Sequence, residues 1–152
     1  QVKLVHSFVE KLKKHEPLQY VTGETEFFGL KIITKPGVLI PRPETEELIE
    51  WIMQSLDRSH NYDMLDIGTG SGCIALALKS VFENANVCAM DISDEALKIA
   101  DENARVFDTP FDVDLSKAPA DSIECAIENY ELYTLIFKLK IDPAMYLTEV
   151  TS

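Results

Sequence analysis

Apolar residues recur at helical spacing over the first third of the chain. Residues 4–15 carry an apolar residue every three or four positions, which predicts a short amphipathic helix ending near Pro17. A second helix is predicted from Pro43 to about Asp57, because proline suits the first helical turn and an apolar stripe follows it. The acidic residues at its start suit the positive end of the helix dipole.

The segment between these two helices predicts a β-hairpin. Residues 26–34 are rich in aromatic and β-branched side chains, and residues 38–40 are apolar again. Pro36-Gly37 stands between them as a turn signal. The two apolar segments are therefore expected to pair across this turn.

From residue 62 onward, short apolar runs alternate with helical stripes. The predicted elements are strands at residues 62–67 and 85–90, and helices at residues 72–82 and 93–105. Ser93 is the expected N-cap of the second helix, whose predicted inward stripe consists of Leu97, Ala100 and Ala104. Buried strands joined by helices form a parallel sheet with right-handed crossovers, so the predicted fold class is α/β.

The pattern weakens after residue 106. Residues 118–130 are compatible with a helix, and residues 134–141 with a strand of partial alternation. Nothing between residues 106 and 118 predicts a third parallel strand.

Composition and charge narrow the classes of function. A chain of 152 residues, 46% of them hydrophobic and 26% charged, suits one globular domain. No apolar run approaches the ~20 residues needed to cross a bilayer, so we expect no membrane association and a cytoplasmic location. The formal net charge of -12 repels a phosphate backbone, and no basic stripe offsets it, so nucleic acid is not the expected partner.

The cysteines and histidines indicate neither disulfides nor a metal site. Cys73, Cys88 and Cys125 are odd in number, widely spaced and set in apolar surroundings, which is typical of reduced thiols in a cytosolic protein. No His/Cys cluster has the spacing of metal ligands, so no bound metal is expected.

The strongest chemical signal is the glycine-rich segment Asp66-Ile-Gly-Thr-Gly-Ser-Gly72. It joins a predicted strand to a predicted helix, and ligands of open parallel sheets bind beyond the carboxyl ends of the strands. Its glycines permit positive φ and close approach of a ligand, while the next helix offers unpaired N–H groups. Asp91 ends the second strand, where its carboxylate could accept hydrogen bonds from ribose hydroxyls. The alternative is a turn that serves only strand–helix packing.

Spacing distinguishes two classes of cofactor. A dinucleotide fingerprint G-x-G-x-x-G/A requires glycine or alanine at position 73, which is Cys73 here. The order G-x-G-x-G after an acidic residue instead resembles motif I of class I methyltransferases, which implies S-adenosyl-L-methionine as cofactor. In that family the loop surrounds the methionine part and the acid on strand two holds the ribose. The resemblance implies these cofactor-binding residues: Asp66 near the methionine ammonium, Gly68, Thr69, Gly70, Ser71, Gly72, Asp91, and Ile92 against adenine.

Three segments before the loop resemble one family more closely. They are Glu16-Pro-Leu-Gln-Tyr-Val-Thr-Gly-Glu24, Glu26-Phe-Phe-Gly-Leu30 and Pro36-Gly-Val-Leu-Ile-Pro-Arg-Pro-Glu-Thr-Glu46, which are similar to the HemK/PrmC family. Those class I methyltransferases act on the glutamine N5 of peptide chain release factors, so the resemblance implies a release factor as partner. It also implies that Arg42, Pro43, Glu44 and Thr45 lie near the cofactor and substrate cleft.

The resemblance covers about residues 8–105 and implies a domain organisation. Residues 1–20 would end an N-terminal helical domain, residues 21–42 would form a β-hairpin linker, and residues 43–152 would form the S-adenosylmethionine-binding α/β domain, divergent after residue 106. The implied fold is a Rossmann-like class I methyltransferase sheet preceded by a short helix and a β-hairpin. Because a complete sheet has seven strands and the chain starts with Gln1, we expect an incomplete sheet. An excised fragment, a gene remnant or a sequence with omitted segments would each account for it.

One family motif is missing. An amide nitrogen is a poor nucleophile, and the family orients it with an Asn-Pro-Pro-Tyr motif at the end of strand four. The sequence contains no such motif. In one possible alignment of residues 111–120, Lys117 takes the place of the asparagine, although lysine has no acceptor for an amide N–H. The other interpretation is that these residues are unrelated to the motif, and no catalytic residue is assigned.

Three functions therefore stay open. The first is a methyltransferase of the release-factor type. The second is a non-catalytic cofactor-binding fragment or protein-interaction module, with residues 106–152 contacting a partner. The third is a methyltransferase acting on adenine in nucleic acid, against which both the net charge and the segment at residues 40–46 argue.

Overall fold

A computed structural model of the chain describes residues 2–107, 113–117 and 132–135. Its helices are α1 (Val2–Lys13), α2 (Leu18–Thr22), α3 (Pro43–Ser55), α4 (Cys73–Val81) and α5 (Asp94–Val106). Its strands are β1 (Glu24–Phe27), β2 (Leu30–Ile33), β3 (Asp63–Ile67), β4 (Asn86–Asp91), β5 (Val113–Lys117) and β6 (Leu132–Leu135).

Four of the strands form a parallel sheet in the order β5-β4-β3-β6. The chain enters at β3, moves outward through β4 to β5, and then returns to the other side of β3. The direction of winding therefore reverses beside β3, and ligands of such sheets bind at this reversal, beyond the carboxyl ends of the strands. The predicted α/β class with a Rossmann-like parallel sheet is confirmed.

Helix α4 lies in the centre of the hydrophobic core. Its residues 73–78 are all buried, because the helix is apolar on every side. The same core cluster takes in Phe27 and Ile32 from the hairpin and Ile49 and Ile52 from α3. Packing of the hairpin and α3 against this core holds the segment before the sheet to the sheet domain.

The hairpin forms, but its predicted strands and turn are wrong. Strands β1 and β2 pair antiparallel around Phe28 and Gly29, and residues 38–40 are not a strand. Both turn residues have positive φ, 51° and 73°, as a two-residue turn between twisted strands requires. Pro36-Gly37 lies instead in a turn after the hairpin, where the Val38 N–H donates to the Lys35 carbonyl.

The first predicted helix corresponds to α1, and a second short helix, α2, follows it. Helix α1 ends at Lys13, and the unpredicted five-residue α2 begins after Pro17. It stops at Gly23, whose φ of 83° closes the helix in the left-handed region. Proline before and glycine after the segment were the available signal for it.

The prediction that no third parallel strand lies between residues 106 and 118 is wrong. Strand β5 pairs with β4 in parallel register, Val113 opposite Val87 and Lys117 opposite Asp91. An edge strand needs no continuous apolar run, so a short sequence with interspersed polar residues can form one. Since β5 occupies the third-strand position, the alignment that put Lys117 at the end of strand four is also wrong.

Strand β6 takes the fourth-strand position beside β3. It overlaps the strand predicted at residues 134–141 only at Thr134 and Leu135, and the remainder of that prediction lies outside the described residues. The helix predicted at residues 118–130 also lies outside them. Within the described ranges, no helix is long and apolar enough to cross a membrane.

Helix α5 begins as predicted, but its buried face matches the predicted stripe only in part. The Ser93 side chain accepts a hydrogen bond from the Ala96 N–H at 3.2 Å, which confirms it as N-cap. The buried residues of the helix are Ala96, Ile99, Ala100 and Asn103. Of the predicted stripe, Ala100 is buried, whereas Leu97 and Ala104 are only half-buried. The prediction missed Asn103 because it considered apolar residues alone.

Candidate functional site

The segment that runs from the last two residues of β3 to the start of α4, residues 66–72, is here called the glycine loop, and it lies at the carboxyl end of β3. Backbone bonds attach its first half to the neighbouring strand β4. The N–H groups of Gly68 and Thr69 both donate to the Met90 carbonyl, at 2.8 and 3.0 Å. The loop therefore begins as a continuation of the β3–β4 pairing and then turns away from the sheet.

All three glycines of the loop adopt positive φ, which other residue types rarely do. At Gly70, with φ of 57°, an added Cβ would meet nothing closer than the Gly68 carbonyl oxygen at 4.0 Å, so this side of the loop is open. At Gly72, with φ of 80°, an added Cβ would lie 3.2 Å from the Ala100 Cβ. The loop thus packs closely on α5 at its end and leaves room for a ligand at its middle.

The loop contains a buried polar pair. Asp66 is 1% exposed and Thr69 is 5% exposed, and the Thr69 hydroxyl donates to Asp66 Oδ2 at 2.7 Å. Because the Thr69 hydroxyl bonds to the first residue of the loop, it restricts the conformation of the loop. The proximity of Asp66 to a methionine ammonium stays a prediction.

Asp91 joins the end of β4 to the glycine loop. Its Oδ2 accepts from the Gly70 N–H at 2.9 Å, and its Oδ1 accepts from the Ser93 N–H at 2.9 Å. An ionised carboxylate offers about four lone-pair sites, so each oxygen keeps capacity for another donor. Ile92, the next residue, is 71% exposed and presents an apolar surface beside this carboxylate.

Asn103 belongs to the site but was not predicted. It is fully buried on α5, and its amide group donates to the Ser71 carbonyl at 2.9 Å. The same side chain bonds both backbone groups of Ile33 in the hairpin. A lone polar residue on an otherwise apolar helix face was the only signal in the sequence.

Cys73 begins α4 directly after the loop. Its side chain is buried, and this burial raises the pKa of the thiol to about 12. The thiol is therefore protonated at neutral pH and is not a nucleophile. The described ranges contain no group of three or more His, Cys, Asp or Glu side chains that could hold a metal ion.

The predicted cleft neighbours lie at the start of α3. Arg42 precedes the helix, Pro43 occupies its first turn, and Glu44 and Thr45 follow. A groove of about 390 Å³ runs between α2 and the segment that leads into α3. Its lining residues are Pro17, Gln19, Tyr20, Leu39, Ile40, Pro41, Arg42 and Pro43.

The chain is similar to known methyltransferases. A family model described as a methyltransferase domain matches residues 64–151. A release factor glutamine methyltransferase of Flavobacterium psychrophilum is 52% identical over 97 residues, which cover 62% of this chain and 34% of that protein. Another, of Koribacter versatilis, is 40% identical over 145 residues, covering 80% of this chain and 52% of that protein. The chain thus spans at most about half the length of these relatives.

A solved structure shares the fold. The N-terminal domain of human METTL16, determined in complex with SAH, superimposes with a TM-score of 0.52 at 23% identity. The match covers 76% of this chain and 50% of that one. At this level of identity the similarity concerns the fold alone.

Proposed function

The chain belongs to the methyltransferase-domain family and, within it, to the HemK/PrmC family, and on this premise we propose that it binds S-adenosyl-L-methionine at the glycine loop. We propose further that it serves transfer of the methyl group to the side-chain amide nitrogen of a glutamine in a peptide chain release factor. The release-factor substrate is taken from its relatives, which are release factor glutamine methyltransferases. The cytoplasm is the location we propose.

One observation carries the cofactor proposal: Asp91 is bonded to the Gly70 N–H beside the open middle of the loop. This geometry puts a carboxylate next to a backbone that a ligand can approach closely, which suits a ribose joined to an amino-acid part. The exposed Ile92 supplies an apolar surface for adenine. An SAH-bound protein of the same fold supports the proposal.

The chain's own residues would share the work of binding. Asp91 would accept hydrogen bonds from ribose hydroxyls, and the N-terminus of α4 would favour the carboxylate of the methionine part. When bound, S-adenosyl-L-methionine supplies a methyl group attached to a positively charged sulfur. The protein would have to hold the substrate nitrogen in line with that methyl group, because positioning and electrostatics provide most of such catalysis.

Binding and transfer rest on different parts of the chain. The family's amide-orienting motif follows the fourth strand, and here β6 is followed by Ile136-Phe-Lys-Leu139, which contains neither asparagine nor proline. No residue is therefore proposed as the acceptor of the amide N–H groups. For this reason cofactor binding and methyl transfer need separate experiments.

Calorimetric titration with S-adenosylhomocysteine tests the binding. We expect measurable but weak affinity for the unaltered chain, and at least tenfold weaker binding for Asp91→Asn, since one of its two acceptor oxygens becomes a donor group. Asp63→Asn is the matched control, because Asp63 is an exposed carboxylate at the opposite end of β3 that bonds Asn86. No binding by the unaltered chain at millimolar ligand would refute the proposal.

A transfer assay tests the activity. Release factor, labelled cofactor and the chain are incubated together, and label is sought on the glutamine side chain. Transfer that Asp91→Asn abolishes and Asp63→Asn preserves would support the enzyme. Cofactor binding with no transfer would favour the second candidate, a non-catalytic binding module. The absence of the Asn-Pro-Pro-Tyr motif from the sequence is the observation that favours this candidate.

A further inference from the structure

We propose that Asn103 is a positioning residue that sets the glycine loop for its cofactor and couples the loop to the β-hairpin. This inference rests on the proposed binding of S-adenosyl-L-methionine at the loop. The side chain of Asn103 is buried on α5, and it bonds to both the glycine loop and the hairpin.

Three hydrogen bonds carry the inference. Asn103 Oδ1 accepts from the Ile33 N–H at 2.6 Å, and Asn103 Nδ2 donates to the Ile33 carbonyl at 3.1 Å and to the Ser71 carbonyl at 2.9 Å. Toward β2, the side-chain amide therefore acts as the peptide group of a neighbouring strand would. The remaining N–H fixes the backbone of the loop.

These partners permit only one chemical group at position 103. A backbone N–H requires an acceptor, whereas two carbonyls require donors, and a primary amide offers both within one planar group. Aspartate has the same shape, but when ionised it presents acceptors to both carbonyls. Alanine removes all three hydrogen bonds, including the one to the buried Ser71 carbonyl.

Close packing beside the hydrogen bonds makes the coupling tight. Ala100, one turn before Asn103 on α5, lies where an added Cβ on Gly72 would approach to 3.2 Å. Helix α5 therefore contacts two consecutive loop residues, Ser71 by a hydrogen bond and Gly72 by packing. A shift of the hairpin at Ile33 would act on the loop through the same side chain, so the position of β2 is expected to influence cofactor affinity.

The control residue also packs on α5, in a buried cluster that contains no residue of the loop. Val38 is buried against Ala96 and Ile99 of α5. Val38→Ala thus loosens the contact between α5 and the linker that follows the hairpin and leaves the loop bonds intact. It separates a general loss of stability from a specific effect on the loop.

Two measurements on Asn103→Ala, Asn103→Asp and Val38→Ala test the proposal. The first is amide hydrogen exchange of residues 68–72 without ligand, and the second is calorimetric affinity for S-adenosylhomocysteine. In both Asn103 variants we expect the loop amides to exchange at least tenfold faster and S-adenosylhomocysteine to bind at least tenfold more weakly. Val38→Ala should change the affinity less than twofold, although its melting temperature is comparable to that of the Asn103 variants.

The aspartate variant adds a signature that a purely structural role would not produce. A protonated carboxyl group donates one O–H, so loop protection and affinity in Asn103→Asp should recover in part from pH 8 to pH 5, relative to the unaltered chain. Equal loop exchange and equal affinity in the Asn103 and Val38 variants would overturn the proposal. If the unaltered chain binds no ligand, the proposed function fails, and the exchange measurement still decides whether Asn103 holds the loop.

Discussion

At the scale of single residues, Gly70 and Gly72 have the same backbone requirement but different surroundings. Gly70→Ala places a methyl group in open space at φ of 57°, so we expect a stability loss of only about 1 kcal/mol but a large loss of cofactor affinity. Gly72→Ala adds a contact of 3.2 Å with Ala100 to the same backbone strain, so its main effect should be on stability, roughly 2–4 kcal/mol. Urea denaturation and calorimetric titration of both variants provide the comparison. The reverse pattern would contradict the assignment of the open side.

Cys73 leads to a prediction about thiol reactivity. Burial raises the pKa of its thiol to about 12, whereas an unfolded cysteine has a pKa of about 8.5. The folded state thus holds the proton more tightly, and the stability that this provides is complete below about pH 8.5 and is lost as the pH rises towards 12. At pH 8.5 we expect iodoacetamide to modify Cys73 at least a hundredfold more slowly in the native protein than in urea, as followed by peptide mass mapping. Equal rates would contradict its burial.

The residues of the site differ in how far the sequence could predict them. The glycines and Asp91 form a local pattern tied to the end of a strand, so their proximity follows from the topology of a parallel sheet. Asn103 has no such pattern, because its partners Ile33 and Ser71 lie 70 and 32 residues away along the chain. A buried polar residue that bonds to distant backbone can be recognised only once the fold has brought its partners together.

At the scale of helices and strands, Ser93 gives a clean test of local stability. Its hydroxyl accepts from the Ala96 N–H at the start of α5, so Ser93→Ala should lower the free energy of unfolding by about 1 kcal/mol. Ser55→Ala is the matched control, because the Ser55 hydroxyl only bonds back to the Trp51 carbonyl in its own helix, and alanine has the higher helix propensity. Chemical denaturation of the two variants measures the difference. A loss at Ser55 as large as that at Ser93 would contradict the capping role.

The hairpin shows why element boundaries were harder to predict than element types. Pro36-Gly37 is a stronger turn signal than Phe28-Gly29, because phenylalanine rarely adopts positive φ. Phe28 does so here with φ of 51°, and its ring packs against the core cluster. Tertiary packing can compensate for a local conformational cost, which no pattern within a short window reveals. Strand β5 was missed for a related reason, since a strand at the sheet edge is stabilised by pairing with β4 rather than by an apolar run of its own.

At the scale of the whole molecule, the order of the sheet could be inferred only in part. Strands β3 and β4 with their helices follow from the alternation of buried runs, whereas the positions of β5 and β6 depend on which side of the central strands the chain returns to. The division into an N-terminal helical part, a linker and an α/β domain stays a prediction. The packing of Phe27 and Ile32 into the core of the sheet agrees with a hairpin that moves with the domain rather than independently of it.

Net charge provides the last prediction. The chain has 26 acidic and 14 basic side chains, and the ion pairs of the described residues, such as those of Lys31 with Glu24 and Arg105 with Asp101, join exposed side chains that contribute little individually. Repulsion among the excess carboxylates should therefore outweigh these pairs, and screening by salt should stabilise the fold. We expect the melting temperature to rise by a few degrees between 20 and 300 mM NaCl, roughly the change that 1 kcal/mol produces in a domain of this size. A melting temperature that falls with salt would mean that the ion pairs dominate.

The same excess of negative charge predicts no detectable binding to RNA at 150 mM salt, because the carboxylates repel the phosphate backbone. Tight binding at that salt concentration would instead support the alternative of a nucleic-acid substrate.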